Sequence, residues 1–251
     1  MKNLFPNYSF YDELAFDYDE MISFDKAIDK KKFLLENFIN SDTNTAADIG
    51  CGSGVDSIAL SLTGLKVVAF DPSSEMLKVA VSNSKRMNVK PDFHNSTADK
   101  IPKEFDNSFD LVLSLGNTFA NISNDKLQES IQRCYDILKP DGQLLIQILN
   151  YEKILVDKNR IVNITEGKNK LFIRFYDFND EQFVFNILTF AKNKFSDYKL
   201  SSTEIHPYIL EDFKSGLRTS GFNDIKFYGD LRLAEFNVQK SKDLIVISQK
   251  K

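Results

Sequence analysis

Three glycines stand at alternate positions in Asp48-Ile49-Gly50-Cys51-Gly52-Ser53-Gly54, directly after the apolar run 45–49 and ahead of a stretch with helical spacing. With no Cβ at those positions, a ligand can lie against bare backbone where a strand ends and unpaired helix N–H groups begin. The spacing also bears on which ligand. A dinucleotide fingerprint needs its third glycine three residues after the second, a position held here by Val55, whereas this loop has Gly54. Pyrophosphate is disfavoured. A second group follows at Asp71, which closes the buried-strand pattern Lys66-Val67-Val68-Ala69-Phe70 and lies 21 residues beyond Gly50. A carboxylate at that point accepts hydrogen bonds from both hydroxyls of a ribose. Loop and acid together describe a site for a ligand with a ribose and no pyrophosphate.

Such groups need a sheet edge to hold them. Residues 55–62 and 73–87 have helical spacing, the second opened by Pro72 and a serine with Met76 behind them. Residues 91–96 and 109–115 read as the third and fourth strands, 125–138 as a helix stopped by Pro140, and 143–149 as a fifth strand. Strands alternating with helices imply a doubly wound, mostly parallel sheet. A helix at 210–217 and terminal strands at 224–228 and 244–248 bring it to seven strands. Apolar residues from Leu14 to Phe38 recur at helical spacing and predict a helical cap over 1–40. Between 151 and 206 the pattern alternates instead, at 171–178, 183–190 and 199–205, which predicts an inserted antiparallel sheet covering the cleft. No linker interrupts the chain, so 1–251 reads as a single α/β domain with a cap and an insert.

At 251 residues, 42% hydrophobic, the chain is long enough to bury a proper core. A net charge of -4, with no long Lys/Arg stripe, argues against nucleic acid as a partner and for a small molecule. No run approaches a membrane span, and Met1-Lys2-Asn3-Leu4-Phe5-Pro6 lacks a signal-like apolar stretch, so no membrane association and a cytoplasmic location are expected. Cys51 and Cys134 have no metal-ligand spacing and read as reduced thiols; no metal and no disulfide are expected.

The glycine loop and the strand ending on Asp71 resemble the first two motifs of the class I S-adenosylmethionine-dependent methyltransferases. Leu115-Gly116-Asn117-Thr118-Phe119-Ala120, the pair Asn150-Tyr151, His206-Pro207 and Phe227-Tyr228-Gly229-Asp230 are similar to the glycine N-methyltransferase branch. The resemblance implies S-adenosyl-L-methionine as cofactor, S-adenosyl-L-homocysteine as product, and a small polar acceptor methylated by preference at an amine nitrogen. It implies cofactor contacts from Asp48, Gly50, Cys51, Gly52, Gly54, Asp71, Pro72 and Met76. Thr97, Ala98, Asp99, Leu115 and Gly116 would face adenine, with Thr97 standing where relatives usually carry aspartate. Tyr11 and Tyr18, seven residues apart on one helix face, would close over the cofactor. Asn117, Asn150, Arg174 and His206 would meet the acceptor. Arg174 suits a carboxylate through its guanidinium fork, and Asn150, Tyr18 and His206 are the candidates for a part in the transfer.

Methyl transfer from a sulfonium asks for an amine lone pair placed in line with the methyl carbon, so placement and desolvation should carry the rate. Rival readings are an amino-sugar N-methyltransferase, whose sequences share the spacing of Tyr11, Ala15 and Tyr18, and an O- or C-methyltransferase. A cofactor-binding regulator without turnover is a rival from a different class.

Overall fold

The computed structural model describes residues 7–178 and 183–251. The N-terminal hexapeptide read above, and four residues of the expected insert, lie outside the described residues. Two helices come first, α1 (Asn7–Ile22) and α2 (Phe24–Leu35), then β1 (Thr45–Ile49), α3 (Val55–Ser61), β2 (Lys66–Asp71), α4 (Ser74–Arg86) and β3 (Asp92–Asn95). They are followed by β4 (Phe109–Ser114), α5 (Asn124–Ile137), β5 (Leu138–Leu149) and α6 (Tyr151–Asp157). The insert contains β6 (Ile161–Glu166), β7 (Lys170–Phe178), β8 (Phe183–Ala191) and β9 (Lys194–Glu204), and the chain closes with α7 (Leu210–Thr219), β10 (Asn223–Tyr228) and β11 (Asp243–Gln249).

Seven strands form the main sheet in the order β10-β11-β5-β4-β1-β2-β3. β1 pairs in parallel with both β2 and β4, so the winding reverses between β1 and β4. β11 runs antiparallel to both of its neighbours, β5 and β10, so β10 has the direction of the parallel strands. Ala46, Ala47, Val112, Leu113, Leu144 and Ile146 are fully buried, because crossover helices cover both faces of a parallel sheet and leave no side for polar residues. On one face Ile131 and Ile137 of α5 pack with Phe213 and Leu217 of α7. On the other, Leu35 of α2 and Ala59 and Leu60 of α3 pack against Val67, Leu111 and Leu145. The crevice created by the winding reversal opens at the carboxyl ends of the strands, where ligands bind in this architecture.

The inserted strands form a separate antiparallel sheet, β6-β7-β8-β9. One of its faces is closed by α1, whose Phe10, Leu14 and Met21 pack on Phe172 and Ile187. The fold class read from the sequence is the one observed. Four details differ, the first being that β5 begins at Leu138, ahead of the 143 suggested by pattern, and takes in Pro140. Strand β6 was missed because Ile161 and Ile164 are exposed, so pairing with β7 defines it and no burial alternation marks it. Helix α6 is too short for a helical period to register. Strand β9 begins at Lys194, ahead of the 199 suggested by pattern, since its first residues are largely solvated.

Candidate active site

The glycine loop is folded across the end of β2: the N–H groups of Gly50 and Cys51 both donate to the Phe70 carbonyl, at 2.7 and 3.1 Å. Gly50 has φ +74, and a Cβ there would fall 2.2 Å from the Thr118 side chain, so any side chain would collide with the segment after β4. Asp71 fastens the loop to the next helix. Its Oδ2 accepts from Gly52 N and its Oδ1 from Ser73 N, each at 2.8 Å. Burial pushes the Asp71 carboxyl up to about 6 despite those two N–H donors, and Asp12 nearby adds to the rise. Ser73 is the N-cap of α4, its Oγ accepting from Met76 N at 3.1 Å while its hydroxyl donates to Asp12 Oδ1 of α1 at 2.6 Å. Helix α1 is tied to the glycine loop in this way through Ser73 and, further along, through Asn83, which donates to Asp19 and to the Ser53 carbonyl.

Around this loop lies a cavity of about 430 Å³, within the usual range for a small-molecule or cofactor site. Gly50 to Ser53 and Asp71 with Pro72 line its middle. Tyr8, Tyr11, Tyr18 and Ile22 of α1 roof it. One end is charged, where Lys31 Nζ of α2 pairs with Asp56 of α3 at 2.9 Å. The other is formed by Ser96 to Asp99, Ile122, Ser123, Lys126 and Ser130. Three hydroxyls on the cavity wall, those of Ser53, Thr97 and Ser130, are buried with no hydrogen-bond partner among the described residues. Buried polar groups are nearly always paired, so these are places for ligand atoms. A charged end, a central ribose acceptor and a hydroxyl-lined end, at which Asp99 and Lys126 pair, match an amino acid, a ribose and a base in that order.

Residues 46–142 match the family model of the methyltransferase domain. A glycine/sarcosine N-methyltransferase of Aphanothece halophytica is 25% identical over 219 residues, covering 86% of this chain and 80% of the relative. The glycine N-methyltransferase of Mus musculus is 33% identical over 138 residues, half of this chain and 47% of the relative. The fold of an S-adenosylmethionine-dependent methyltransferase from Clostridium acetobutylicum superposes with a TM-score of 0.76 at 19% identity, covering 96% of this chain and 98% of that one. Residues 46–142 are a methyltransferase domain, of the S-adenosylmethionine-dependent kind. S-adenosylmethionine is its cofactor, and its similarity is to the glycine N-methyltransferase branch.

In this methyltransferase the sequence-read residues divide by place. Tyr11, Tyr18, Gly50, Cys51, Gly52, Asp71, Pro72, Met76, Thr97, Ala98, Asp99, Leu115 and Gly116 all line the cavity. Asp48 and Gly54 do not. Asp48 lies buried beneath the loop, its Oδ2 accepting from Ser57 Oγ at 2.5 Å, and burial beside Asp56 pushes its carboxyl well above the usual range. Gly54 is the N-cap of α3, with φ +88, and meets Ala80 of α4 closely. Both shape the loop from behind.

The acceptor-side readings fare differently. Asn150 is 2% exposed and fully engaged: its Nδ2 donates to the carbonyls of Val238 and Ser241, at 2.8 and 3.0 Å, and its Oδ1 caps α6 at Lys153 N. Asn117 donates to Tyr151 Oη at 2.7 Å and accepts from Leu149 N at 3.0 Å. Each staples strand ends together and lies off the cavity wall. The His206 ring stacks on Tyr208, and its main-chain N–H donates to the Ala120 carbonyl at 2.7 Å, also away from the wall. Arg174 sits on the α1-facing side of β7, and its Nε donates to Asn163 Oδ1 at 2.6 Å. Burial lowers its pKa while its charge acts on Tyr18, Tyr176 and Tyr11.

Lys31, Asp56, Ser53, Asn121 and Ser130 line the cavity and were missed. Lys31 is the middle of Lys30-Lys31-Lys32, and nothing local distinguishes it from its solvated neighbours. Ser130 did leave a signal, as a polar residue on the helix face that carries Leu127, Ile131 and Cys134.

Proposed function

We propose that this methyltransferase modifies the amine nitrogen of a small acceptor that carries a carboxylate. The observation behind the reading is Arg174, half-buried among Tyr11, Tyr18 and Tyr176 next to the cavity roof. Its Nε is occupied by Asn163, and no other acceptor meets the guanidinium among the described residues. A desolvated arginine with free N–H donors recruits a planar anion. The names of the relatives, which act on glycine and sarcosine, point to the same kind of acceptor.

When bound, S-adenosylmethionine supplies a methyl group already activated on a sulfonium. Lys31 with Asp56 and the orphaned Ser53 hydroxyl would hold the amino-acid end, Asp71 the ribose hydroxyls, and the hydroxyl-lined end the base. Tyr11 and Tyr18 would roof the reacting centre. Burial pushes the Tyr18 phenol up to about 12 and raises Tyr11 as well, so both stay neutral and orient through oxygen lone pairs without acting as bases. Neither histidine lines the cavity, which suits an amine that arrives neutral and loses its proton to solvent after transfer.

The test is release of S-adenosylhomocysteine with a panel of glycine, sarcosine, an uncharged amine, an amino sugar and a hydroxy acid. Turnover should be confined to the carboxylate-bearing amines, and Arg174→Lys should raise KM for them with cofactor affinity unchanged. Turnover with the amino sugar alone would replace this reading with the amino-sugar one, and turnover with the hydroxy acid would indicate O-methylation.

A further inference from the structure

The hydroxyl-lined end of the cavity holds two side chains whose condition is unusual. Ser130 lies in the interior of α5, fully buried, where a helix serine ordinarily donates back to the carbonyl of the preceding turn. Its Oγ has no partner among the described residues. Thr97 is held by its backbone at the start of the short 3-10 turn Ala98–Lys100, its carbonyl accepting from Lys100 N at 3.1 Å and from Ser96 Oγ at 3.0 Å. Its Oγ1 is likewise buried and unpaired. Helix α5 packs directly on that turn, so the two hydroxyls approach the same end of the cavity from two different elements.

The carboxylate at this end is ion-paired with a lysine whose own hydrogen bond goes to Glu129 at 2.7 Å. Asp99 has a side chain only 10% exposed and lies 3.8 Å from Lys126 Nζ of α5. The charged groups at the opposite end, Lys31 and Asp56, suit the ammonium and carboxylate of the cofactor's amino acid. The flat, uncharged base is left for the end walled by Ala98, Ile122 and the two hydroxyls. An exocyclic amine donates two hydrogens, and a hydroxyl oxygen accepts through either of two lone pairs. Two orphaned acceptors reaching in from different elements match that donor pair.

We propose that the exocyclic amine of adenine is read by the hydroxyls of Thr97 and Ser130, which makes them the base-specificity residues of this enzyme and Ser130 a contact supplied by α5. The assignment rests on the cofactor orientation proposed above. It has a structural corollary. Removing an unpaired buried hydroxyl costs the empty protein nothing in hydrogen bonds, so Ser130→Ala should fold and melt as wild type or slightly higher.

The decisive measurement is calorimetry of the full chain with S-adenosylhomocysteine and with its 6-deamino purine counterpart, which keeps every ring nitrogen and lacks only the amine. Wild type should prefer the adenine form by roughly tenfold or more, as expected for a site that hydrogen-bonds the group being removed. Combining Thr97→Val with Ser130→Ala should abolish that preference while leaving affinity for the 6-deamino ligand near the wild-type value. Thr97→Asp, which restores an acceptor, should keep the preference. An adenine preference that survives in the double variant would overturn the proposal. If the double variant loses both ligands equally, the hydroxyls shape the pocket without reading the amine, and the proposal fails as well. Loss of S-adenosylhomocysteine binding in Lys31→Ala with the base preference intact supports the orientation on which the assignment rests; normal binding in that variant would overturn the orientation and leave the base test to be read separately.

Discussion

The main sheet and the inserted sheet are built on opposite principles. In the main sheet, the strands that carry the cofactor loop are buried on both faces, and the N–H groups of the loop are held at three points: Phe70 O receives those of Gly50 and Cys51, and the Asp71 carboxylate that of Gly52. The inserted sheet has one face on α1 and leaves Ile161, Ile164, Tyr198 and Leu200 exposed on its strands. Around the Phe10, Leu14 and Met21 contact, α1 is joined to it by surface ion pairs, Lys170 to Asp17 at 2.7 Å and Lys199 to Glu13 at 2.8 Å. Part of the difference is strength. A buried, backbone-bonded loop holds a cofactor in one geometry, whereas exposed ion pairs are worth little and yield to salt. Such a division suits an enzyme whose methyl donor is fixed and whose acceptor pocket must open.

That contrast breaks most sharply at Gly50. Replacing it by Ala puts a Cβ 2.2 Å from Thr118 at a φ of +74, a left-handed backbone that alone costs about 1–2 kcal/mol. With the collision added, cofactor affinity measured by calorimetry should fall on the order of a hundredfold or more. Wild-type affinity in Gly50→Ala would mean that the loop is not the rigid half.

Asp71 comes next. Asp71→Ala removes the ribose acceptor and the partner of two backbone N–H groups, and should weaken cofactor binding by roughly a hundredfold, about 2–3 kcal/mol. Its titration gives two opposite trends. The folded-state pKa of about 6 lies above the ordinary 3.8, so the folded chain holds this proton longer than the unfolded one. The resulting stabilisation is present below about pH 4 and is lost as pH rises through about 6, by about 3 kcal/mol. Ribose hydroxyls, by contrast, need the carboxylate, so cofactor affinity should rise through the same window. Calorimetry and urea unfolding across pH 4–8 should show the two trends, and Asp71→Asn should flatten both.

Asn150→Ala sharpens the comparison from the rim of the main sheet. Because its amide serves the carbonyls of Val238 and Ser241 and its oxygen caps α6, the variant should lose about 2 kcal/mol in urea unfolding. Cofactor affinity should be little changed. A stable but inactive variant would instead return Asn150 to the acceptor.

The smallest effect belongs to the clasp. Lys170→Ala should cost about 0.5 kcal/mol of stability and leave cofactor affinity untouched. The apparent KM for the acceptor should nonetheless move, in the direction that added salt moves it for wild type, as steady-state rates at two ionic strengths would show.

The sequence by itself determined the parallel sheet, the glycine loop and Asp71, because each follows from local constraints: a period of strands and helices, a backbone conformation only glycine adopts freely, an acid at a strand's end. It also determined Thr97 to Asp99 and Leu115 with Gly116 as wall residues, since the carboxyl ends of parallel strands share one rim. Tertiary structure decided the rest. Asn117, Asn150 and His206 were placed at the rim by motif, yet packing turned the two asparagine side chains onto other strand ends, where they find hydrogen-bond partners, and stacked the His206 ring on Tyr208. Lys31 and Ser130 reached the cavity from helices whose own spacing says only which face is apolar. What a helix side chain meets across a cleft depends on how two elements far apart in the chain are docked, and no local pattern of residues carries that information.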